Sequence, residues 1–204
     1  FDLWFEGQEK EDFKPKINTF FSRIESYLPF LKEYHFKIET SNSFPHSSGI
    51  ASSASGMSAL ALCLMYIEKR LVDHMSEAFF IKKASFLARL GSGSACRSIE
   101  GTIVQWGAHK TTPGSSDLYG IQYPYEVHSN FNNFQDTILL VDKGQKQVSS
   151  TVGHNLMHDH PYARERFKQA HDNLDQLMTV FKTGDLPEFI KIVESEALTL
   201  HAMM

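Results

Sequence analysis

The sequence has little of what marks secreted, membrane-spanning or nucleic-acid-binding proteins. It contains only two cysteines, Cys63 and Cys96, so we expect no disulfide framework and a reducing compartment. Its longest apolar run, 59–67, is too short to span a bilayer. It has no long block of lysine and arginine, and its net charge of −4 argues against nucleic acid as the main partner. We therefore expect a cytoplasmic protein, without membrane or nucleic-acid partners, that meets its ligands through local sites.

The most informative segment that is present is rich in serine and glycine. It covers 42–56 and reads NSFPHSSGIASSASG. Alternating apolar residues over 36–40 precede it and an apolar helical pattern from Met57 follows it, which predicts a strand, a loop and a helix. Gly49 and Gly56 allow close backbone approach, and the helix start adds unpaired amides and a positive dipole end. The segment therefore predicts an anion-binding loop suited to a polyphosphate, without the Lys-Ser/Thr ending of a Walker loop.

A second segment of the same character covers 91–98 and reads GSGSACRS. It includes a permanent cation, Arg97, whose planar guanidinium matches the paired oxygens of a phosphate or carboxylate. Ser92 and Ser94 add short hydroxyl donors. Two such segments predict two anionic ligands.

These motifs resemble those of a known family. Phe44-Pro45, then GIASSASG over 49–56, then GSGSACRS over 91–98, and later VSST over 148–151 with Gly153 occur in the order found in diphosphomevalonate decarboxylases, which belong to the GHMP kinase superfamily. Related GHMP kinases usually carry glycine where Ala51 stands and lack the SGSACR segment. The resemblance extends over nearly the whole chain.

The resemblance implies an ATP-dependent enzyme of isoprenoid biosynthesis. Its substrate would be (R)-5-diphosphomevalonate, whose 3-hydroxyl is phosphorylated before phosphate and CO2 leave to give isopentenyl diphosphate. ATP and Mg2+ would be the cofactors, with the metal bridging phosphate oxygens. The family is usually a homodimer, and we expect one here.

The resemblance also assigns site residues. The ATP phosphates would contact Ser48, Gly49, Ala51, Ser52, Ser53 and Ser55. The substrate would contact Ser92, Gly93, Ser94, Arg97, Ser149 and Ser150. Ser53 and Arg97 are the two expected to act in catalysis, and which of Ser149 and Ser150 faces the site is left open.

Departures from the family pattern limit this carry-over. His46, Glu100 and Thr102 occupy places where the family usually has other residues. The family's aromatic-Trp-Gly segment and its Asp-Ala-Gly segment, whose aspartate is assigned as the catalytic base, are both missing. We therefore expect an internal portion of a longer protein, not competent for turnover by itself.

Simpler interpretations stand beside these. The serines of the first segment could only cap a helix, and Arg97 could form a surface ion pair worth about 0–1 kcal/mol. Another GHMP-type kinase, or a catalytically silent nucleotide-binding homologue, would share the motifs. His158-Asp159-His160 lacks a third metal ligand, so we predict no metal site there.

The remaining patterns predict an α+β fold with a GHMP-kinase-like layer of sheet and a layer of helix. Strands are expected over 102–107, 121–127 and 137–141, with a turn at 113–116. A long helix over 162–183 ends at Gly184, and Asp185 begins another. We place an ATP- and substrate-binding portion at 1–147 and a mostly helical portion at 148–204.

Overall fold

The computed structural model describes residues 1–44, 46, 50–139 and 150–203. Within them the chain forms two compact units, unit 1 at Phe1–Pro124 and unit 2 at Tyr125–Met204. The boundary expected between 147 and 148 lies outside the described residues.

Unit 1 combines a helical layer with short strands. Its helices are α1 (Lys14–Ile24), α2 (Ser52–Leu71) and α3 (Glu77–Gly91), and its strands are β1 (Asp2–Phe5), β2 (Gln8–Glu9), β3 (Lys37–Thr40), β4 (Val104–Trp106) and β5 (Gly120–Gln122). A 3-10 helical segment at Gly93–Ser98, called the Arg97 turn below, follows α3 directly.

The core of unit 1 lies between its three helices. Apolar side chains recur at helical spacing on the inner faces, and their burial is what stabilises helices of this length. Pro15 sits in the first turn of α1, and the Ser76 hydroxyl accepts from the Phe79 amide at 3.3 Å to cap α3. The fully buried members of this core include Phe20, Ile24, Leu28, Ala61, Leu64, Met65, Phe80, Ala84, Leu87 and Ala88.

The strands form two small sheets. In the first, β1 lies between β2, antiparallel to it, and β3, parallel to it, with Leu3 opposite Ile38. In the second, β4 and β5 are antiparallel, with Gln105 opposite Ile121. The strand predicted over 121–127 is wrong beyond Gln122, and residues 137–139 form no strand. The loop between β4 and β5 contains the predicted turn, in which the Ser115 amide donates to the Thr112 carbonyl at 3.2 Å.

Unit 2 is helical, as predicted for this end of the chain. It contains α4 (Ser150–Asn155), α5 (Ala163–Thr183) and α6 (Leu186–Ala202). Gly184 ends α5 in the left-handed conformation, and the Asp185 carboxylate accepts from the Glu188 amide at 3.1 Å to begin α6. A second core of Phe131, Val180 and Ile192 joins α5 and α6 to the segment around Phe131.

Among residues 1–44, 46, 50–139 and 150–203, no helix is both long enough and apolar enough to cross a bilayer. Cys63 is exposed and Cys96 is buried, and both are free thiols. Burial raises the pKa of the Cys96 thiol, which keeps it protonated.

Gly184 should tolerate a side chain poorly. It has φ +78°, and an added Cβ would lie 2.4 Å from Nδ1 of His128, whose ring also accepts from the Asn130 amide. Gly184→Ala should lower the free energy of unfolding by roughly 2–5 kcal/mol, from left-handed strain and overpacking together. Urea unfolding followed by circular dichroism measures this.

Gly7→Ala is the matched control, because Gly7 has the same φ of +78° with nothing within 4 Å of the added Cβ. It should show only the left-handed strain, about 1–2 kcal/mol. Equal losses in the two variants would contradict the role given to His128.

Candidate functional site

The first predicted loop connects β3 to α2. Ser48 and Gly49, expected to hold ATP phosphates, lie outside the described residues, so that part of the prediction stays a prediction. Ala51 immediately precedes α2 and is exposed, with φ +61°, the left-handed region that alanine seldom adopts.

The serines of this segment lie on the first turns of α2. Ser52 and Ser53 are half-buried, and Ser55 is exposed. The N-cap residue of α2 is Ala51, and within the described part of the chain α2 has no side-chain cap. The simple capping interpretation of these serines is therefore wrong. Their hydroxyls stand at the positive end of a helix of 20 residues, where an anion is stabilised.

A lysine that the sequence analysis missed reaches this helix start. Lys16, in the first turns of α1, donates a hydrogen bond from Nζ to Oγ of Ser53, across 37 positions of sequence. Lys16 is exposed and does not belong to the apolar pattern of α1, whose buried residues are Phe20 and Ile24. The contact arises from the packing of helices, so no local signal could have shown it.

The setting of Lys16 suits an anion-binding cation. Desolvation beside the start of α2 lowers the pKa of the Lys16 ammonium group, although much of the side chain is exposed. A nearby negative charge would favour the charged form and reverse this shift. Lys16 and the helix dipole thus present positive charge at Ser53 together.

The second predicted loop is the end of α3 and the Arg97 turn. Ser92 is extended, and its carbonyl accepts from the Ala95 amide at 2.8 Å. Ala95 and Cys96 are buried and anchor the turn, whereas Ser94 is half-buried. Gly93 and Arg97 are exposed.

The guanidinium of Arg97 makes no ion pair or hydrogen bond with any other residue that the structure describes. The surface ion pair considered as its simpler role is therefore absent from that part of the chain. Its guanidinium offers all its donors to a ligand. Ser92 and Ser94 lie beside it in sequence, so the turn combines hydroxyls with an unpaired cation.

The two segments meet at one end of the α2–α3 pair. A Cβ added to Gly91, the last residue of α3, would lie 2.7 Å from Sδ of Met57 and 3.0 Å from Cδ2 of Phe20. Met57 lies about one turn beyond Ser53 on α2. The contact brings the end of α3, and with it the Arg97 turn, against the start of α2.

The third predicted segment does not belong to unit 1, which holds the other two. Ser149 lies outside them, and Ser150 begins α4 in unit 2. The serine pair stays a prediction.

Two departures from the family pattern can be located. His46 is exposed, and its ring centroid lies 4.8 Å from that of Phe13 and 5.5 Å from that of Phe5. Glu100 lines a shallow cavity beside Lys82 and Tyr119, away from the serines of α2. Among the described residues no group of three or more histidine, cysteine, aspartate or glutamate side chains could hold a metal, His158-Asp159-His160 included.

Comparison with known proteins identifies the family of this chain. Residues 2–118 match the model of the diphosphomevalonate decarboxylase-like N-terminal domain. The diphosphomevalonate decarboxylase of Gibberella zeae is 32% identical over 182 residues, which are 88% of this chain and 45% of that protein. That of Danio rerio is 27% identical over 215 residues, 98% of this chain and 50% of the relative. The chain thus spans about half the length of such curated relatives.

Solved structures show the fold. A mevalonate diphosphate decarboxylase from Legionella pneumophila matches 99% of this chain and 60% of its own, with a TM-score of 0.71 and 24% identity. The enzyme from Enterococcus faecalis, solved for its mevalonate diphosphate-mediated ATP binding mechanism, matches 99% of this chain and 57% of its own, with a TM-score of 0.68 and 24% identity. The predicted α+β, GHMP-kinase-like fold is confirmed.

The pKa of Lys16 provides a test of the first segment. Titration of carbon-13-dimethylated lysines by NMR should show the pKa of Lys16 below the ordinary value of a lysine side chain, because desolvation disfavours the ammonium. Added pyrophosphate should move the Lys16 titration to higher pH, since the polyanion favours the charged form.

The variant Lys16→Gln identifies the resonance and should abolish the response. A pyrophosphate-induced shift in other lysines with Lys16 unmoved would contradict this placement of the anion.

The left-handed start of α2 provides a second test. Ala51→Gly should raise the free energy of unfolding by about 1 kcal/mol, because glycine adopts this conformation without steric cost. Ala59→Gly, at an exposed position inside the same helix, should lower it by about 1 kcal/mol. Urea unfolding measures both, and a loss in both variants would refute strain at Ala51.

Proposed function

Because the chain belongs to the diphosphomevalonate decarboxylase family, we propose that its protein converts (R)-5-diphosphomevalonate to isopentenyl diphosphate, using ATP and releasing ADP, phosphate and CO2. The observation that carries this proposal is the meeting of two serine-rich segments, one beside Lys16 and the other bearing Arg97, whose guanidinium has no partner among the described residues. The reaction needs two polyanions side by side, and each turn suits one of them.

The ATP phosphates are assigned to the start of α2. Ser52 and Ser53 would donate hydroxyl hydrogen bonds, and the helix dipole and Lys16 would offset phosphate charge. Ser53 ranks first because it already contacts a cation. Ser48, Gly49, Ala51 and Ser55 complete the proposed phosphate loop. Mg2+ suits a site of this kind, since ATP itself supplies most of its oxygen ligands and a serine hydroxyl can add one.

The substrate is assigned to the Arg97 turn. Arg97 would bind the carboxylate or diphosphate of diphosphomevalonate in a bidentate manner and orient the group that is lost. Ser92, Gly93 and Ser94 would contact the substrate beside it, and Ser149 and Ser150 are proposed to join them. In phosphoryl transfer, such positioning and electrostatic stabilisation account for most of the catalysis.

The finer assignments belong to the same proposal. We propose a homodimer working in the cytoplasm, and the two free thiols agree with a reducing compartment. A GHMP-type kinase that phosphorylates its substrate without releasing CO2 is the second candidate, because the start of α2 would serve either reaction. A silent homologue is the third.

The decisive experiment gives the full-length protein ATP, magnesium and 5-diphosphomevalonate, and measures CO2 and inorganic phosphate. Equal release of both supports the decarboxylase. Arg97→Ala should lower kcat/KM by at least about 100-fold, as expected for loss of one preorganised charged donor.

Arg70→Ala is the control, since Arg70 is also an exposed arginine but lies at the opposite end of α2 from Ser53. It should leave turnover unchanged. ADP without CO2 would point to a kinase, and no reaction would point to a binding homologue. Full activity in Arg97→Ala would refute the role of Arg97.

A further inference from the structure

A serine in the middle of α3 is buried, although helix formation does not require a hydroxyl there. Ser85 is 1% exposed and is surrounded by the apolar core of unit 1. A buried hydroxyl lowers stability unless it is hydrogen-bonded, and serine inside a helix usually bonds to a carbonyl of its own preceding turn. Ser85 does something different.

The Ser85 hydroxyl links two segments outside its helix. Its Oγ donates to the Cys96 carbonyl of the Arg97 turn at 2.8 Å and accepts from the Gly120 amide of β5 at 2.9 Å. Both bonds are buried. One side chain therefore satisfies a backbone acceptor and a backbone donor that would otherwise be unpaired in the core.

The bond to Cys96 constrains Arg97 directly. The Cys96 carbonyl and the Arg97 amide belong to one planar peptide group. A hydrogen bond that holds the Cys96 carbonyl therefore also fixes the orientation of the Arg97 amide. Gly120 packs against the same peptide group from β5, since an added Cβ there would lie 3.0 Å from the Cys96 oxygen and 2.8 Å from Cγ1 of Val104. The peptide before Arg97 is thus held between α3 and β5.

We propose that Ser85 is a positioning residue for Arg97, which fixes the orientation of the Arg97 turn toward its anionic ligand. The proposal rests on the proposed function for the identity of that ligand. The alternative is a serine that serves only the stability of the fold.

The test uses kinetics of the full-length protein. Ser85→Ala leaves the Cys96 carbonyl and the Gly120 amide without their partner, so the turn should relax and KM for 5-diphosphomevalonate should rise by about tenfold or more. KM for ATP should change little, because ATP is assigned to α2. In the background of Arg97→Ala, Ser85→Ala should have almost no further effect, since Ser85 acts through Arg97.

The matched control is Ser76→Ala, which removes the cap of the same helix and leaves the Arg97 turn untouched. It should lower the melting temperature without changing KM for 5-diphosphomevalonate. If Ser85→Ala behaves like Ser76→Ala, or if its effect multiplies with that of Arg97→Ala, the positioning role is refuted.

A readout independent of turnover separates this inference from the proposed function. A Cβ on Gly93 would lie 3.2 Å from Cη2 of Trp106, so Trp106 borders the Arg97 turn. In a background in which every other tryptophan, Trp4 included, is replaced by phenylalanine, its emission should shift in Ser85→Ala and in Gly120→Ala, but not in Ser76→Ala. An inactive wild-type protein would refute the proposed function alone, and unchanged emission in the first two variants would then refute the inference.

Discussion

The site depends on the absence of a side chain at Gly91. At this point α3 ends against Met57 and Phe20, closer than any Cβ would allow. The contact sets where the chain leaves α3, and therefore where the Arg97 turn stands relative to the first turns of α2. Every proposed interaction with a pair of polyanions requires that proximity. A core contact between apolar residues and a glycine thus determines the position of charged groups at the surface.

The cationic side chains of unit 1 differ in whether they already have a partner within the protein. Most of the cations around the helical layer have partners: Lys83 pairs with Glu68 at 2.5 Å, Lys69 with Glu77 at 2.8 Å, and Arg23 and Arg89 each donate to a carbonyl at 2.9 Å. Arg97 stands apart from them among the described residues, and Lys16 contacts only a neutral hydroxyl there. A chain with a net charge of −4 can therefore still attract anions, because the attraction is local.

Local signals in the sequence predicted much of this arrangement. Periodicity and capping residues predicted α5 with its end and the start of α6, because Gly184 and Asp185 act within one turn of the backbone that they stop or start. Motif order predicted the family, which the comparisons confirm, and the two anion-binding segments, which stay a prediction. Lys16 and Ser85 escaped prediction since their contacts join distant segments. The strand predicted over 121–127 was too long because its pairing stops at Pro124. The Tyr123 amide still donates to the Ile103 carbonyl at 2.9 Å, but Pro124 has no N–H with which to extend the ladder.

The start of α2 connects ligand binding to folding. A helix that begins at Ala51, without a side-chain cap, leaves the amides of its first turn to be satisfied by something else. A bound phosphate would act as the missing cap. A ligand bound there would therefore also stabilise the folded protein, because it would bind the ordered helix start and not the unfolded chain.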